Sequence, residues 1–286
     1  MSQESGQRFL LTLPAVQNDL PFSPVLLTRL FRLTGDDGLS PLDAIAAAVA
    51  EDQGLTTRLL ALANSAYYGL QAQVGTVSRA VAVLGLREVR ALVVALGMRG
   101  LADVRPLPPE FSPREFLEHQ TAVAAAAMGL ARASGVMEPD DAFTAGLLHD
   151  LGKLITALYR PGDWQAQAAL AKAQAIAWHE AEERHWGLDH GLIGAMVLRS
   201  WNLPDSLTEP VNWHHAPQAA PGDARPCRLL GLADALAREV TGHPEPGVAA
   251  QAPLLHGLRL SRQEAFSAVE TALASRDVAS LAAALA

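Results

Sequence analysis

Hydrophobic positions recur at helical spacing along most of this 286-residue chain. The clearest case is the segment AFTAGLLHDLGKLITALY at 142–159, in which apolar residues return every three to four positions. Apart from a short extended piece over 74–77, no segment has the alternation that predicts a half-buried strand. The pattern therefore predicts an all-α fold, with helices over 25–33, 41–51, 86–100, 113–133, 163–185, 189–201, 204–215 and 261–285.

Turn residues mark the ends of these helices and divide the chain. Ser112 followed by Pro113 has the form of an N-cap and a first helical residue, and Ser78 is a candidate cap for a short helix that stops at Gly85. The proline-rich segment VRPLPPEFSP at 104–113 is the best internal boundary. We predict two packed helical subdomains followed by a C-terminal helical extension, covering 14–104, 110–240 and 241–286 respectively.

With 22 Lys and Arg against 30 Asp and Glu, the chain carries a formal net charge of -8. Because an acidic chain is poorly suited to neutralising phosphates, we expect no nucleic-acid partner. The single cysteine, Cys227, excludes an internal disulfide and fits a reducing cytoplasm. No signal-peptide pattern or uninterrupted apolar span is present, so we expect a cytoplasmic protein without membrane contact. In the helix over 163–185, we expect a solvated acidic face formed by Glu180, Glu182 and Glu183.

The adjacent pair His149–Asp150 is the main candidate for chemistry. Both side chains stand in an apolar helical segment, where burying an imidazole and a carboxylate costs free energy unless a partner satisfies them. A metal ion accepts nitrogen and oxygen ligands and is the simplest such partner. The alternative is an amphipathic helix with this pair at the edge of its polar face. Lys153 follows His149 by one helical turn, so both are predicted to lie on the same face.

Two other polar residues extend this candidate site. His119 lies in the helix predicted over 113–133, and Asp234 stands alone among apolar residues in CRLLGLADALAREV. With the pair His149–Asp150 they place four candidate ligands on three helical segments, which could meet at one point if the helices are neighbours. Four groups lying far apart, or an arginine or lysine filling the gap between them, would end the case for a metal centre and leave only a helical adaptor. Further histidines lie between the pair and Asp234 in sequence, namely His190, His214 and His215.

At these separations, the order His119, His149–Asp150, Asp234 resembles the metal-binding signature of the HD superfamily of helical phosphohydrolases. The surrounding sequence is similar to the HDOD branch, the HD-related output domains of bacterial signalling proteins. The similarity extends from about residue 14 to about residue 240. The segments that carry it are EDQGLTTRLLALANSAYYGL at 51–70, VSRAVAVLGLREVRALVVAL at 77–96, DDAFTAGLLHDLGKL at 140–154 and HWGLDHGLIGAMVLRSWNLPDSL at 185–207.

The resemblance implies that the second subdomain is an HD-like helical bundle and that both subdomains form one unit. Many HDOD domains have lost metal-site residues and act as interaction or regulatory modules, whereas this chain keeps all four matching positions. We therefore expect a bacterial signalling module that binds a divalent metal and relays a signal through a protein partner or a nucleotide. The alternative is a metal-dependent phosphohydrolase acting on a nucleotide or another phosphoester, with Asp150 and Lys153 as catalytic residues.

The donor set of the four residues restricts the metal. Two imidazoles and two carboxylates suit Mn, Fe, Zn, Co or Ni, and suit Mg less well. A second ion would need further ligands, and in the related HD-GYP branch additional histidines fall in positions like those of His190, His214 and His215. No Gly-Tyr-Pro motif follows His215, so we do not expect hydrolysis of cyclic dinucleotides. His190 can equally be a helix-start residue beside Asp189, and we expect one of His214 and His215 near the site and the other in packing.

Overall fold

The computed structural model describes residues 2–16, 29, 42–51, 53–64, 73–85, 89, 92–93, 105–243 and 251–275. Every regular element in these ranges is a helix, which confirms the all-α prediction. None of the described helices is long and apolar enough to cross a membrane. The helices predicted over 25–33 and 86–100 lie almost entirely outside the described residues.

The first described helices are α1 (Ser2–Val16), α2 (Leu42–Ala50), α3 (Gln53–Ala63) and α4 (Val77–Leu84). Helices α2, α3 and α4 pack on one another through buried aliphatic side chains. The N-cap of α4 is Thr76, whose hydroxyl accepts a hydrogen bond from the Arg79 N–H, so the prediction of Ser78 was wrong. As predicted, α4 stops at Gly85, whose φ of 80° favours glycine.

The remaining helices form a bundle around α5 (Pro113–Ser134), which Ser112 caps as predicted. The run from Ala122 to Ala127 is fully buried, and its small side chains let neighbouring helices approach closely. A Cβ on Gly146 of the next helix would lie 2.5 Å from the Ala124 Cα, which shows how tight this contact is. The other helices are α6 (Pro139–Leu148), α7 (Leu151–Tyr159), α8 (Pro161–Gln174), α9 (Trp178–Trp186), α10 (His190–Ser200), α11 (Asp205–Trp213), α12 (Ala224–Val240), α13 (Gln251–Leu255) and α14 (Arg262–Leu273).

Two of the predicted helices are each divided in two. The helix that carries the His149–Asp150 pair is interrupted at Asp150, whose φ of -98° and ψ of 10° leave the helical region. The helix predicted over 163–185 is interrupted at Ala175, which adopts a left-handed conformation with φ of 50°. No glycine or proline occupies either break, so the sequence pattern gave no signal of them.

The C-terminal helix α14 packs against the core. It begins with a capping box formed by Ser261 and Glu264, and it buries Ala265, Val269 and Ala272. Its backbone lies so close to α5 that a Cβ on Gly129 would be 2.8 Å from the Ala268 carbonyl oxygen. Of the helix predicted over 261–285, residues 276–286 lie outside the described residues.

Cys227 is part of the core rather than a reactive group. Its side chain is buried in α12, and its thiol donates a weak hydrogen bond to the Glu209 carbonyl oxygen at 3.7 Å. Burial, followed by the nearby Glu209 charge, raises the pKa of this thiol to about 12. The thiolate is therefore scarce at neutral pH, and nucleophilic chemistry at Cys227 is not expected.

The contact between α5 and α14 gives a test of the packing. We expect Gly129→Ala to lower the free energy of unfolding by about 1–3 kcal/mol, because the added methyl group meets backbone that cannot move cheaply. Urea denaturation measures the change. Gly162→Ala is the matched control, since a Cβ there meets nothing within 4 Å, and we expect a change within about 0.5 kcal/mol. Equal stabilities of the two variants would contradict the described packing.

Candidate metal centre

The break at Asp150 brings the His149–Asp150 pair to a point where α5 and α12 also contribute side chains. The His119 Nε2 lies 3.0 Å from the Asp234 Oδ1 and 3.7 Å from the Asp150 Oδ2. The His149 Nε2 lies 3.4 Å from the Asp150 Oδ1 and 3.8 Å from the Asp234 Oδ1. Two imidazoles and two carboxylates from three parts of the chain therefore converge on one small buried volume, which we call the pocket.

The other candidate histidines extend the pocket. The His190 Nε2 lies 2.9 Å from the Asp150 Oδ1 and 2.9 Å from the His215 Nε2. The His214 ring lies 5.5 Å from the His149 ring and 5.3 Å from the His190 ring, centroid to centroid. The expectation that only one of His214 and His215 is near the site was therefore wrong. His190 is also the first residue of α10, where the Asp189 side chain accepts a hydrogen bond from Leu192, so it occupies the helix start while its ring lies at the pocket.

Helix ends determine how two of the imidazoles point. His149 and His214 each follow the last residue of a helix, where backbone carbonyl groups lack partners within the helix. The His149 Nδ1 lies 2.8 Å from the Gly146 carbonyl oxygen, and the His214 Nδ1 lies 2.7 Å from the Val211 carbonyl oxygen. Since a carbonyl can only accept, each Nδ1 carries the proton and donates, which leaves the Nε2 lone pair directed into the pocket.

Glu182 orients a third imidazole, that of His190, by accepting at its Nδ1. One of its carboxylate oxygens, Oε2, lies 2.6 Å from the His190 Nδ1 and accepts a hydrogen bond from the His190 N–H at 2.9 Å. The other, Oε1, accepts a hydrogen bond from the Trp178 indole at 2.8 Å. The prediction of a solvated face at Glu182 was wrong, because the turn at Ala175 changes which side of α9 faces the core. A carboxylate on Nδ1 of a histidine is a common arrangement around metal-binding imidazoles.

Electrostatics leave two imidazoles of the pocket neutral, as metal ligands must be, and hold a third protonated. Burial lowers the pKa of His149 to about 4 and that of His214 well below its ordinary value, so both imidazoles are neutral at pH 7. Burial alone would also lower the pKa of His190, but the Glu182 and Asp150 carboxylates outweigh it and raise that pKa to about 9.

The two carboxylates of the pocket are ionised. Burial would raise the pKa of Asp150 and of Asp234, but the opposing contribution of nearby positive groups is larger. For Asp150 the groups that stay charged at neutral pH are Lys153 and His190, and for Asp234 the main one is Arg238. Both pKa values consequently lie well below the ordinary value for aspartate.

Two buried nitrogen atoms without hydrogen-bond partners among the described residues indicate whether these residues fit a metal ion. The Nε2 atoms of His149 and His214 are buried, and neither forms a hydrogen bond with any described residue. A buried polar atom without a partner is costly, and a divalent ion would accept both lone pairs. Potential ligand atoms lie within 4.8 Å of one another in two groups, His119 with His149 and Asp150, and His190 with His214 and His215. The residues fit a divalent ion.

Two basic side chains also reach the pocket. The Lys153 Nζ lies 2.9 Å from the Asp150 Oδ2, three residues away across the helix break. The prediction that Lys153 shares one continuous helix with His149 was therefore wrong. The Arg238 Nε donates to the Asp234 Oδ1 at 2.9 Å, and its Nη2 lies 3.0 Å from the His119 Nε2. The guanidinium thus lies against two of the four predicted ligands and 3.9 Å from a third, the Asp150 Oδ2, so it occupies part of the space that one ion shared by all four would need. The Nε2 atoms of His149 and His214 keep no hydrogen-bond partner among the described residues.

The sequence carried a signal for Arg238 that we did not use. Arg238 follows Asp234 by four residues in α12, and an opposite-charge pair at that spacing lies on one helix face. Glu182 had no such signal, because its partner His190 lies beyond the end of α9. His179, whose ring stacks on that of His215 at 4.0 Å, was likewise not identified from the sequence.

The family model for the HDOD domain matches residues 20–217 of this chain. Among solved structures, a candidate phosphohydrolase from Shewanella amazonensis has a TM-score of 0.72 at 24% identity, with 96% of this chain and 98% of that chain covered. An HDOD domain protein of unknown function from Geobacter sulfurreducens has a TM-score of 0.72 at 24% identity, with 97% of each chain covered. At these identities the similarity establishes a shared HD-like helical fold.

A curated relative from Treponema pallidum is 28% identical over 211 residues, which is 73% of this chain. That relative is described as an uncharacterised protein, and this chain spans 40% of its length.

Glu182 gives a direct test of how the pocket is oriented. We expect Glu182→Gln to weaken binding of Zn²⁺ by about 10- to 100-fold, because the amide no longer holds the His190 ring with a charged acceptor. Competition with a chromophoric chelator measures the affinity, and far-UV circular dichroism checks the fold. Glu183→Gln is the matched control, since Glu183 is exposed on the same helix and should leave the affinity unchanged. An unchanged affinity in Glu182→Gln would contradict the role of this carboxylate.

Proposed function

This chain belongs to the HDOD family, and from that premise we propose that it is a regulatory module that binds a divalent transition metal in the pocket. The proposed module relays a signal through a protein partner or through a ligand that carries a phosphate group, such as a nucleotide. A structure with this fold from Marinobacter aquaeolei is named a candidate signal transduction protein, which supports the regulatory proposal. Its TM-score is 0.74 at 23% identity, and the match covers 93% of this chain and 60% of that chain.

The observation that carries the metal proposal is the inward direction of the imidazole Nε2 atoms. Hydrogen bonds at Nδ1 hold His149, His190 and His214 in this orientation, and two of the three Nε2 atoms are buried without a hydrogen-bond partner among the described residues. With the carboxylates of Asp150 and Asp234, this donor set favours Mn, Fe, Zn, Co or Ni over Mg. When bound, such an ion would act as a Lewis acid toward a phosphoryl oxygen or a bound water.

The charges around the pocket favour an anionic ligand. The carboxylates of Asp150 and Asp234 already face the cationic side chains of Lys153 and Arg238. A divalent ion would therefore give the pocket an excess of positive charge, which a phosphate group would balance. Lys153 is 12% exposed, so its ammonium group is near enough to solvent to meet an incoming phosphate oxygen as a point charge.

Metal-dependent phosphoester hydrolysis is the second candidate function. It is favoured by Lys153, a cationic side chain beside Asp150, in addition to the residues that would hold the metal. In that case Lys153 would bind and orient the phosphoryl group, and Asp150 would hold the metal. The Shewanella amazonensis protein with the same fold is named a candidate phosphohydrolase, which supports this second candidate.

Metal content tests the shared part of both functions. We expect the wild-type protein to retain metal after it is loaded with Mn, Fe, Zn, Co or Ni and then desalted. Asp150→Asn should lose most of that metal, because the substitution removes a central carboxylate. Elemental analysis of the purified chains gives the stoichiometry. Asp140→Asn is the matched control, since Asp140 is exposed on α6 and should leave the metal content unchanged. A wild-type chain that retains none of these metals would contradict the proposal.

Turnover separates the two functions. With the metal-loaded protein, the regulatory module should bind phosphate-bearing ligands without hydrolysing any phosphoester or nucleotide in a broad screen. The enzyme instead predicts hydrolysis that is lost in Lys153→Met while the metal content of that variant stays at the wild-type level. Turnover that survives Asp150→Asn would have to come from a contaminating enzyme and would support neither function.

A further inference from the structure

The two sides of the pocket differ in the cations that contact them. One side, which we call the gated side, consists of His119, His149 and Asp234, and Arg238 contacts His119 and Asp234. The other, which we call the three-histidine side, consists of His190, His214 and His215, with the Asp150 Oδ1 2.9 Å from the His190 Nε2. Lys153 is paired with Asp150 through the other carboxylate oxygen, Oδ2. A metal ion therefore competes with Arg238 on the gated side, whereas on the three-histidine side the cation beside its carboxylate ligand is Lys153.

On the gated side, Arg238 uses the atoms that a metal would need. Its Nε donates to the Asp234 Oδ1 at 2.9 Å, and its Nη2 lies 3.0 Å from the His119 Nε2. A divalent ion bound to these same two atoms would also lie against a permanently charged guanidinium group, which cannot lose its proton in a protein. Occupation of the gated side by Arg238 and occupation by a metal therefore exclude each other.

The position of Arg238 allows it to withdraw. It belongs to the last turn of α12, which ends at Val240, and its side chain is 18% exposed. Arginine has a long flexible stem, so its guanidinium can turn toward solvent without movement of the helix. No rearrangement of the bundle is required for the exchange.

We propose that Arg238 is a tethered cation that competes with metal for the gated side, so that the two sides of the pocket fill in order. The first ion binds the three-histidine side together with Asp150 while Arg238 stays in place. A second ion binds His119 and Asp234 only after Arg238 has withdrawn. This inference rests on the proposed metal-binding function and adds to it the order in which the sites fill and the residue that sets that order.

A Mn²⁺ titration of the full chain, with bound and free ion separated by electron paramagnetic resonance, tests the proposal. For the wild type we expect one tight and one weaker class of sites. In Arg238→Gln the weaker class should tighten about 10-fold or more, since the charge-assisted contacts that compete with the metal are gone. The tight class should stay within about 2-fold of the wild type, because Arg238 lies 3.9 Å from the Asp150 Oδ2, an oxygen that Lys153 already holds at 2.9 Å. Arg132→Gln, an exposed arginine in the last turn of α5, is the matched control and should match the wild type.

Two further variants keep the test decisive if Arg238→Gln folds poorly. Arg238→Lys keeps the charge, but a single ammonium group cannot reproduce both contacts, so the weaker class should tighten by less than in Arg238→Gln. His119→Ala should abolish the weaker class and preserve the tight one. Circular dichroism confirms the fold of each variant before titration.

The outcomes separate this inference from the function on which it rests. If the wild type and Arg238→Gln both bind no ion, the metal-binding function and the inference are both wrong. If the wild type binds metal but Arg238→Gln binds the second ion equally or more weakly, Arg238 supports the site instead of competing for it, and only the inference is wrong. Loss of the tight class in His119→Ala would also overturn the order of filling.

Discussion

The pocket depends on one kind of interaction, the hydrogen bond between an imidazole Nδ1 and an acceptor on the far side of the ring. For His149 and His214 the acceptor is a carbonyl near the end of their own helix, and for His190 it is the Glu182 carboxylate. Each bond fixes the direction of the ring, so that Nε2 faces the pocket. For His149 and His214, which are neutral, it also fixes the tautomer, and Nε2 presents a lone pair. Without these bonds the same histidines could rotate and pair with one another, and no set of convergent donors would form.

Close backbone packing brings these oriented rings together. A Cβ on Gly152 would lie 2.1 Å from the His190 carbonyl oxygen, so only glycine allows α7 to approach the start of α10 this closely. The contact places Asp150, two residues before Gly152, next to His190. On the opposite side the alanine-rich middle of α5 lets α6 and α12 approach, and this fixes His119 and Asp234 relative to the same carboxylate. The bundle is therefore arranged so that its tightest contacts surround its most polar region.

Much of this arrangement could be predicted from the sequence, for identifiable reasons. The helical period and the cap at Ser112 depend on local interactions, so the all-α class was correct. The bounds predicted for 41–51, 113–133, 189–201 and 204–215 were correct to within two residues. The convergence of His119 with Asp234 could be inferred from polar residues in apolar helices, since such residues need a partner. The turn at Ala175 could not be predicted, because alanine gives no signal of the left-handed conformation that it adopts here. The burial of Glu182 was missed because its partners, Trp178 and His190, could not be assigned to it from the sequence.

The central claim is that imidazole Nε2 atoms converge on a metal ion inside this pocket. The most direct measurement is a crystal structure of the zinc-loaded protein, with anomalous difference maps collected on both sides of the zinc absorption edge. We predict a peak within bonding distance of the Nε2 atoms of His190 and His214 and of a carboxylate oxygen of Asp150. A peak outside the pocket, coordination through Nδ1, or a loaded crystal without any anomalous peak at these residues would contradict the account.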